Sequence, residues 1–307
     1  MSDIKLFRTD GKTVTQLEGH SVALERSLQT LIESQLDVIL GIRFLKSEYT
    51  TGKTHGGRID TLGIDENGCP CIIEYKRSSN ENVINQGLFY LDWLLDHKGE
   101  FELLVLKAYG KETADQIEWS SPRLLCIAGD FTKYDGHAVQ QINRNIELIR
   151  YLRFGTEFLL LDVVHAVQTT TSPDPVTMID PLKVQVKGTS QNVSHQLAKA
   201  DQALLDIFDA VRTTCMGFGD DVHEKMLQNY VAFKRLKNFA SVELRNSLKL
   251  VLMFVKVDPD TVDLKDGFTR DVRNIGHFGT GELEISLRSL DDVEKALPLL
   301  QKSYDVS

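Results

Sequence analysis

Two acidic residues lie inside apolar, strand-like runs of the segment GRIDTLGIDENGCPCIIEYKR, residues 57–77. Asp60 stands in the first run and Glu74 in the second, and Lys76 follows Glu74 by two positions. A carboxylate in a buried strand is costly unless a cation or hydrogen-bond donors compensate it. The types and positions of these residues therefore predict a site that binds a divalent cation.

The loop between the two runs decides whether the carboxylates meet. A three-residue loop, ENG at 66–68, would use Gly68 at the position that tolerates positive φ. In that register Asp60 lies directly across an antiparallel pair from Glu74. A two-residue loop, NG, would place Tyr75 opposite Asp60 and would send Glu74 to the other face. Only the three-residue loop pairs the carboxylates, and we adopt that register.

Opposed carboxylates with Cβ atoms ~5 Å apart repel each other unless a cation lies between them. Mg²⁺ prefers hard oxygen ligands, often one or two carboxylates completed by water and a substrate phosphate. Since side chains alternate along a strand, Lys76 shares the face of Glu74. Lys76 could orient or deprotonate an attacking water, or balance phosphate charge. The alternative is an exposed acidic hairpin with Lys76 as a surface counter-ion.

Asp60 and the Glu-Tyr-Lys run at 74–76 resemble the D and ExK elements of the PD-(D/E)XK nuclease superfamily. The resemblance extends over roughly residues 20–110 and is closest to the RecB-like and NucS-like endonuclease branch. It implies that Asp60, Glu74 and the carbonyl of Tyr75 hold Mg²⁺ or Mn²⁺, and that Lys76 acts on the nucleophile. One departure is Ile59, where the superfamily usually has proline.

The same branch usually carries a Gln-x-x-x-Tyr element on the helix that follows the ExK strand. Gln86 and Tyr90 fit this element, and their spacing places both on one helical face. The resemblance implies a catalytic role for Gln86 and a substrate contact for Tyr90. Core packing is an equally open role for Tyr90, whereas Gln86 is harder to explain as a core residue.

A glutamate on a preceding helix completes the set that the resemblance implies, where it would hold a water of the metal. Glu25 lies within about 50° of the centre of the apolar stripe formed by Leu28, Ile32 and Leu36. Glu33 is expected on the polar side. Glu25 is therefore the predicted residue, although either glutamate could be a solvated helix charge.

The reaction implied by the resemblance is Mg²⁺-dependent hydrolysis of a nucleic-acid phosphodiester, in DNA rather than RNA. His55, Arg58 and Arg77 are the predicted contacts to the substrate, with ordinary surface roles as the alternative for the first two. A different class of function also stays open. In it, the chain is a catalytically silent nucleic-acid-binding or protein-interaction module that keeps the nuclease-like fold.

The length of 307 residues favours two domains, because single cores rarely grow beyond ~250–300 residues. The alternation of strand-like and helical segments predicts an α/β fold, a restriction-endonuclease-like mixed sheet flanked by helices, over residues 1–168. The Pro-, Thr- and Ser-rich stretch 169–199 is predicted to be a linker. Residues 200–307 are predicted to form a smaller α+β domain.

Apolar periodicity gives the expected elements of both domains. In the first, helices are expected at 24–40, 81–95 and 134–145, and strands at 42–49, 58–65, 70–76, 101–109, 122–130 and 157–167. In the second, helices are expected at 201–215 and 291–304, and strands at 229–237, 239–244, 249–255 and 283–289. The second part resembles a domain of unknown function labelled "predicted transport protein", and we expect a recognition or interaction role for it, with its partner unknown.

Charge and cysteine content narrow the classes of function. With 44 acidic and 35 basic residues the net charge is -9, which opposes binding of nucleic acid over the whole surface. The stretch 43–77 is more basic than the rest and could form a local groove, or a mixed-charge surface. The four cysteines lack zinc-ligand spacing, so reduced thiols are expected.

The N-terminal residues lack the pattern of a secretory signal, and no apolar run reaches the ~18 residues of a membrane span. We therefore expect a cytoplasmic protein with nucleic acid as its partner and no membrane association. A homodimer is left open.

Overall fold

The computed structural model describes residues 4–20, 25–76, 83–167 and 192–307. The chain divides into two compact units, Met1–Thr169 and Thr170–Ser307. Each unit has its own hydrophobic core. In the described residues, no helix is both long and apolar enough to cross a bilayer.

The first unit combines strands and helices in alternation. Its strands are β1 (Leu6–Thr9), β2 (Val14–Leu17), β3 (Gly19–His20), β4 (Ile42–Thr50), β5 (Arg58–Asp65), β6 (Pro70–Lys76), β7 (Arg123–Ala128), β8 (Asn145–Phe154) and β9 (Phe158–Val167). Its helices are α1 (Glu25–Ser34), α2 (Leu36–Leu40), α3 (Gly52–His55), α4 (Val83–Asp96), α5 (Lys98–Asp115) and α6 (Lys133–Gln140).

Seven of these strands form one mixed sheet in the order β3-β8-β7-β6-β5-β4, with β9 on β8. β6, β7 and β8 run parallel, and β4, β5 and β6 are antiparallel neighbours. All residues of β7 are buried, as expected for a central strand covered on both faces. β1 and β2 form a separate hairpin. The predicted α/β class is confirmed.

The predicted helix at 24–40 is broken into two. α1 ends at Ser34, Gln35 adopts non-helical angles, and α2 follows. Gly41 ends α2 in the left-handed conformation with φ of 63°, as predicted. Leu28 and Ile32 are 1% and 0% exposed. Full burial of such side chains is worth about 1.5–3 kcal/mol each, so this stripe fixes α1 to the sheet.

Two predictions in the first unit are wrong. The expected strand at 101–109 lies within α5, where Phe101 and Val105 are buried one turn apart while Leu103 and Leu106 are exposed. A short apolar run fits either element, and here the periodicity of burial is helical. The helix expected at 134–145 ends at Gln140, and strand β8, which was not predicted, begins five residues later.

The second unit is a six-stranded antiparallel sheet packed against helices. Its elements are α7 (Val193–Lys199), α8 (Gln202–Met216), β10 (His223–Met226), β11 (Val231–Lys234), β12 (Asn238–Arg245), β13 (Leu250–Val255), β14 (Thr269–Asp271), β15 (Leu283–Leu287) and α9 (Leu290–Asp305). The strand order is β10-β11-β12-β13-β15-β14. Every predicted helix and strand of this unit has its counterpart among these elements.

The boundary predicted at residue 200 needs a correction. Residues 193–199 form α7, and Val193 is fully buried in the core of the second unit. Asn192 caps this helix, since its side chain accepts a hydrogen bond from the N–H of His195. The second unit therefore begins before residue 200, and the rest of the predicted linker lies outside the described residues.

Candidate metal centre

The β5–β6 turn sets the register of the two carboxylates. Asp65 N–H donates to Cys69 O at 2.9 Å, Gly68 N–H donates to Asp65 O at 3.0 Å, and Gly68 has φ of 76°. A Cβ on Gly68 would lie 2.8 Å from Gln116 O, so glycine is needed for space as well as for φ. The three-residue loop is confirmed.

The strands pair in the register that this loop dictates. Thr61 lies opposite Ile73 and Leu62 opposite Ile72, which places Asp60 across from Glu74. Asp60 N–H donates to Glu74 Oε1 at 3.2 Å, and Tyr75 N–H donates to Asp60 Oδ2 at 3.0 Å. The two carboxylates therefore meet, as the sequence predicted.

Glu74 is buried without full compensation. Its side chain is 0% exposed, and its Oε2 accepts no hydrogen bond from any residue that the structure describes. Burial, followed by the neighbouring Asp60 charge, raises the pKa of Glu74 to about 9. Burial also raises the pKa of Asp60, while the Tyr75 N–H and the Lys76 charge oppose this rise. Without a bound cation, burial disfavours the charged form of both carboxylates.

Lys76 forms an ion pair with Glu25 next to the two carboxylates. Lys76 Nζ lies 3.0 Å from Glu25 Oε1, with side chains 13% and 38% exposed. Burial disfavours the charged lysine, but the hydrogen bond to Glu25 and the charges of Glu25, Asp60 and Glu74 raise its pKa. The structure thus brings together the four residues predicted from β5, β6 and the preceding helix.

The expectation that Glu33 faces the polar side of its helix is wrong. Thr61 Oγ1 donates to Glu33 Oε1 at 2.6 Å, and Gln29 Nε2 lies 3.1 Å from the same oxygen. Gln29, which the sequence pattern did not predict as a site residue, also donates to Asp60 O at 2.9 Å. Glu25, Gln29 and Glu33 recur every four residues, and this polar stripe was the signal that could have found them.

Gln86 and Tyr90 lie together on α4, one turn apart. Gln86 Nε2 donates to Tyr90 Oη at 3.3 Å, and Tyr90 Oη accepts from the Arg58 N–H at 3.1 Å. Tyr90 is 6% exposed, and a Cβ on Gly57 would lie 2.4 Å from its ring. Tyr90 lies in the core, where its hydroxyl accepts a hydrogen bond from the first residue of β5. This position favours the packing role of Tyr90 over a substrate contact.

The predicted substrate contacts are only partly described. His55 packs against Phe89, with ring centroids 5.2 Å apart. Arg58 is exposed and forms an ion pair with Glu48. Arg77 lies outside the described residues. Glu48 was not predicted, and it has φ of 53°, a conformation that residues other than glycine rarely adopt.

The position of Glu48 follows from the β4–β5 pairing. Tyr49 lies opposite Ile59 and Ser47 opposite Thr61, so Glu48 lies across from Asp60. Its charge is one of those that act on the Asp60 carboxyl to raise its pKa. Glu48, Asp60 and Glu74 therefore occupy corresponding positions on three adjacent strands.

The donor set fits a divalent cation that keeps other ligands. No group of three His, Cys, Asp or Glu side chains in the described ranges could hold a metal ion by itself. Asp60 and Glu74 instead offer two carboxylates, one with a buried oxygen lacking a donor. Mg²⁺ accepts such sites because water and substrate phosphate complete its coordination. The Tyr75 N–H contacts Asp60, and a ligand role of its carbonyl stays a prediction.

All four cysteines of the chain are buried, and several basic residues of the second unit pair with acids. These pairs are Arg235 with Asp221, Arg245 with Glu243, Lys249 with Asp201, Arg270 with Glu284, and Arg273 with Asp260.

Comparison with known proteins gives a family match for the second unit. Residues 193–307 match a domain of unknown function, DUF5655, which confirms the resemblance of the second unit to a domain of unknown function. A Haemophilus influenzae protein described as "Uncharacterized protein" is 23% identical over 313 residues, covering 98% of this chain and 99% of that protein.

Two solved structures align with part of the chain. "Structure of EndoMS-dsDNA2 complex" aligns at 20% identity and a TM-score of 0.25, over 42% of this chain and 46% of that one. "Crystal structure of a repair endonuclease from Pyrococcus abyssi" aligns at 15% identity and a TM-score of 0.24, over 42% and 48%. The aligned region spans less than half of each of these proteins.

Proposed function

We propose that the first unit is a metal-dependent endonuclease of the PD-(D/E)XK type, which hydrolyses phosphodiester bonds in DNA rather than RNA. The observation that carries this proposal is the buried Glu74, whose Oε2 lacks a donor among the described residues while Asp60 contacts its other oxygen. A fold gains nothing from a buried carboxylate that faces a second carboxylate unless a cation joins them. The arrangement is explained if the two carboxylates bind a divalent cation.

Asp60 and Glu74, with the Tyr75 carbonyl, would hold Mg²⁺ or Mn²⁺. When bound, such an ion supplies Lewis-acid polarisation of a phosphate oxygen and neutralises charge at the phosphate. The Tyr75 N–H holds Asp60 Oδ2 at 3.0 Å, so the chain fixes this carboxylate before any ligand binds. Preorganisation of this kind avoids the cost of ordering the carboxylate during the reaction.

Lys76 and Glu25 would act on the nucleophile and the phosphate. An ammonium held by a carboxylate at 3.0 Å keeps its proton, so this contact favours charge balance and orientation over deprotonation of water by Lys76. In the hydrolysis, the water oxygen bonds to phosphorus and the ester P–O bond breaks. The proton lost by the water balances the one gained by the leaving hydroxyl.

Cleavage assays on single-stranded, duplex and branched DNA and on RNA, with Mg²⁺ or Mn²⁺, test the proposal. Asp60→Ala should abolish cleavage, and Lys76→Ala should lower it roughly 100-fold or more, since each removes a charge that acts on the reacting phosphate. The exposed Asp92→Ala and Lys107→Ala are matched controls and should cleave like the parent.

Titration calorimetry with Mn²⁺ separates this proposal from a catalytically silent module. The parent should bind Mn²⁺, and Asp60→Ala should not. Equal cleavage by Asp60→Ala and the parent would refute the assignment of the site. If the parent neither binds Mn²⁺ nor cleaves any substrate, the silent nucleic-acid-binding or interaction module is the better description.

A further inference from the structure

The polar stripe of α1, formed by Glu25, Gln29 and Glu33, lies against the hairpin that carries the carboxylates. Its two glutamates contact side chains, Glu25 at Lys76 and Glu33 at Thr61. Gln29 instead contacts the main chain of β5, since its Nε2 donates to Asp60 O at 2.9 Å. Gln29 is 6% exposed, so water competes little for this bond.

Side chains hold both polar main-chain groups of Asp60. The paired residues of β5 and β6 begin at Thr61, one residue after Asp60. The Asp60 N–H donates to Glu74 Oε1 at 3.2 Å, and the Asp60 carbonyl accepts from Gln29. On the β4 side the register around Asp60 is regular, with Ser47 paired to Thr61 and Tyr49 paired to Ile59. Asp60 thus lies one residue beyond the last β5–β6 pair, where Gln29 supplies the donor to its carbonyl.

Gln29 reaches Asp60 from the face opposite its carboxylate. Gln29 Nε2 also lies 3.2 Å from Ser47 Oγ, and Ser47 pairs with Thr61 across β4 and β5. Because successive side chains alternate along a strand, Ser47 and Thr61 share one face and the Asp60 carboxylate lies on the other. The hydrogen bond from Gln29 to the Asp60 carbonyl therefore orients the carboxylate, while Gln29 itself contacts no ligand that the carboxylate binds.

We propose that Gln29 is a positioning residue that fixes the peptide of Asp60 and thereby aims its carboxylate at the cation. This role rests on the proposed function. It extends that function to a residue that contacts no ligand atom. Groups that orient a metal ligand in this way typically change metal affinity or activity by ~10–100-fold when they are removed.

Gln29→Met tests the role, because methionine has nearly the same shape and no amide donor. We expect the variant to fold, to bind Mn²⁺ roughly 10-fold more weakly than the parent, and to show a lower kcat with an unchanged KM for DNA. Calorimetry and steady-state cleavage measure these values. Gln29→Glu is the second variant, since it keeps the shape and replaces the donor with an acceptor, and it should show the same loss.

Asn145→Leu is the matched control for loss of stability alone. Asn145 is also 6% exposed, and its Nδ2 donates to Pro122 O at 3.2 Å and Ser121 Oγ at 2.9 Å. Both Asn145→Leu and Gln29→Met delete a buried amide-to-carbonyl bond, so both should lower the Tm. Only Gln29→Met should weaken Mn²⁺ binding.

The outcomes separate the two proposals. If the parent binds Mn²⁺ through Asp60 while Gln29→Met and Gln29→Glu bind it equally well, only the role of Gln29 fails. The role also fails if Asn145→Leu weakens binding as much as Gln29→Met does, because the effect would then follow stability. If the parent binds no Mn²⁺, the proposed function fails and the role of Gln29 fails with it.

Discussion

The β5–β6 hairpin has buried carboxylates at both of its ends, and the two ends compensate them differently. At the turn end, Arg123 Nη1 lies 3.0 Å from Asp65 Oδ2, and its Nε and Nη2 lie 2.8 and 2.9 Å from the two oxygens of Glu147. At the open end, Asp60 and Glu74 face each other, and Glu74 Oε2 has no donor among the described residues.

This difference separates structural charge from functional charge. Three buried groups at the turn end satisfy one another through a two-pronged guanidinium–carboxylate contact, so no ligand is needed to explain them. The open end keeps an uncompensated carboxylate that a fold would be expected to lose. Burial of an acid is thus not a sign of a binding site by itself. The sign at the open end is that Asp60 and Glu74 face each other while one buried oxygen of Glu74 has no donor among the described residues.

Arg123→Met should have the largest effect on stability, because it leaves Asp65 and Glu147 buried without their cation. Removing one partner of a buried ion network typically costs roughly 3–5 kcal/mol, a large share of the stability of a domain. Urea denaturation of parent and variant measures the loss. Arg8→Met is the control, because Arg8 pairs with Glu157 where both side chains are 63% exposed, and it should unfold like the parent.

A small effect of Arg123→Met would contradict the contrast between the two ends. It would mean that Asp65 and Glu147 become neutral, or are reached by water, at little cost. The turn end would then tolerate uncompensated carboxylates as the open end does, and the unpartnered oxygen of Glu74 would lose its value as a sign of function.

Glu74→Gln should raise the stability of the metal-free protein, whereas Arg123→Met should lower it. The folded-state pKa of Glu74 is about 9 against an ordinary 4.5, so folding favours the protonated form. The stability that this group contributes is present below pH 4.5 and is lost as the pH rises toward 9. At neutral pH the substitution should therefore stabilise the metal-free protein by on the order of 1–3 kcal/mol while abolishing cleavage.

Urea denaturation between pH 5 and pH 9 in the presence of a chelator tests this sign. With the chelator, the parent should lose stability relative to Glu74→Gln across that window. In a second series, with saturating Mn²⁺ in place of the chelator, the ion should stabilise the parent but not the variant. If Glu74→Gln is less stable than the parent at every pH, the open end is a structural pair like the turn end.

The sequence predicted the open end better than the turn end for a local reason. The register of Asp60 and Glu74 follows from a short turn in which Gly68 takes positive φ, so residues close in sequence decide it. The contact of Arg123 with Asp65 joins residues 58 apart, and no local pattern predicts it. Strand β8, which supplies Glu147, was also missed, because a helix was expected to extend to its first residue.

The elements that were predicted wrongly share a dependence on tertiary packing. The apolar run that begins at Phe101 could be a strand or a helix, and only its packing against the core selects the helix. The prediction for Glu33 assumed that the polar side of α1 faces water. Thr61 offers a buried hydroxyl there, which the helix pattern alone does not reveal.

The two ends also differ in the residue that takes positive φ. At the turn end it is Gly68, which adopts this conformation freely, whereas at the open end it is Glu48, with φ of 53° across from Asp60. A residue other than glycine is strained there by about 1 kcal/mol or more. Glu48 is also paired with Arg58, and the side chains are 39% and 65% exposed. Of the two ends, the one that carries the candidate site has the strained residue.

Glu48→Gly should have the smallest effect of these changes. The substitution relieves the backbone strain, but it adds freedom to the unfolded chain and removes the exposed ion pair with Arg58, so the net change should stay within about 1 kcal/mol. Glu48→Gln keeps the strain and removes the charge. Equal stability of the two variants in urea would show that the strain costs little. A loss above about 2 kcal/mol in both would show that the Glu48–Arg58 pair is structural, and the open end would then hold a charge network of its own.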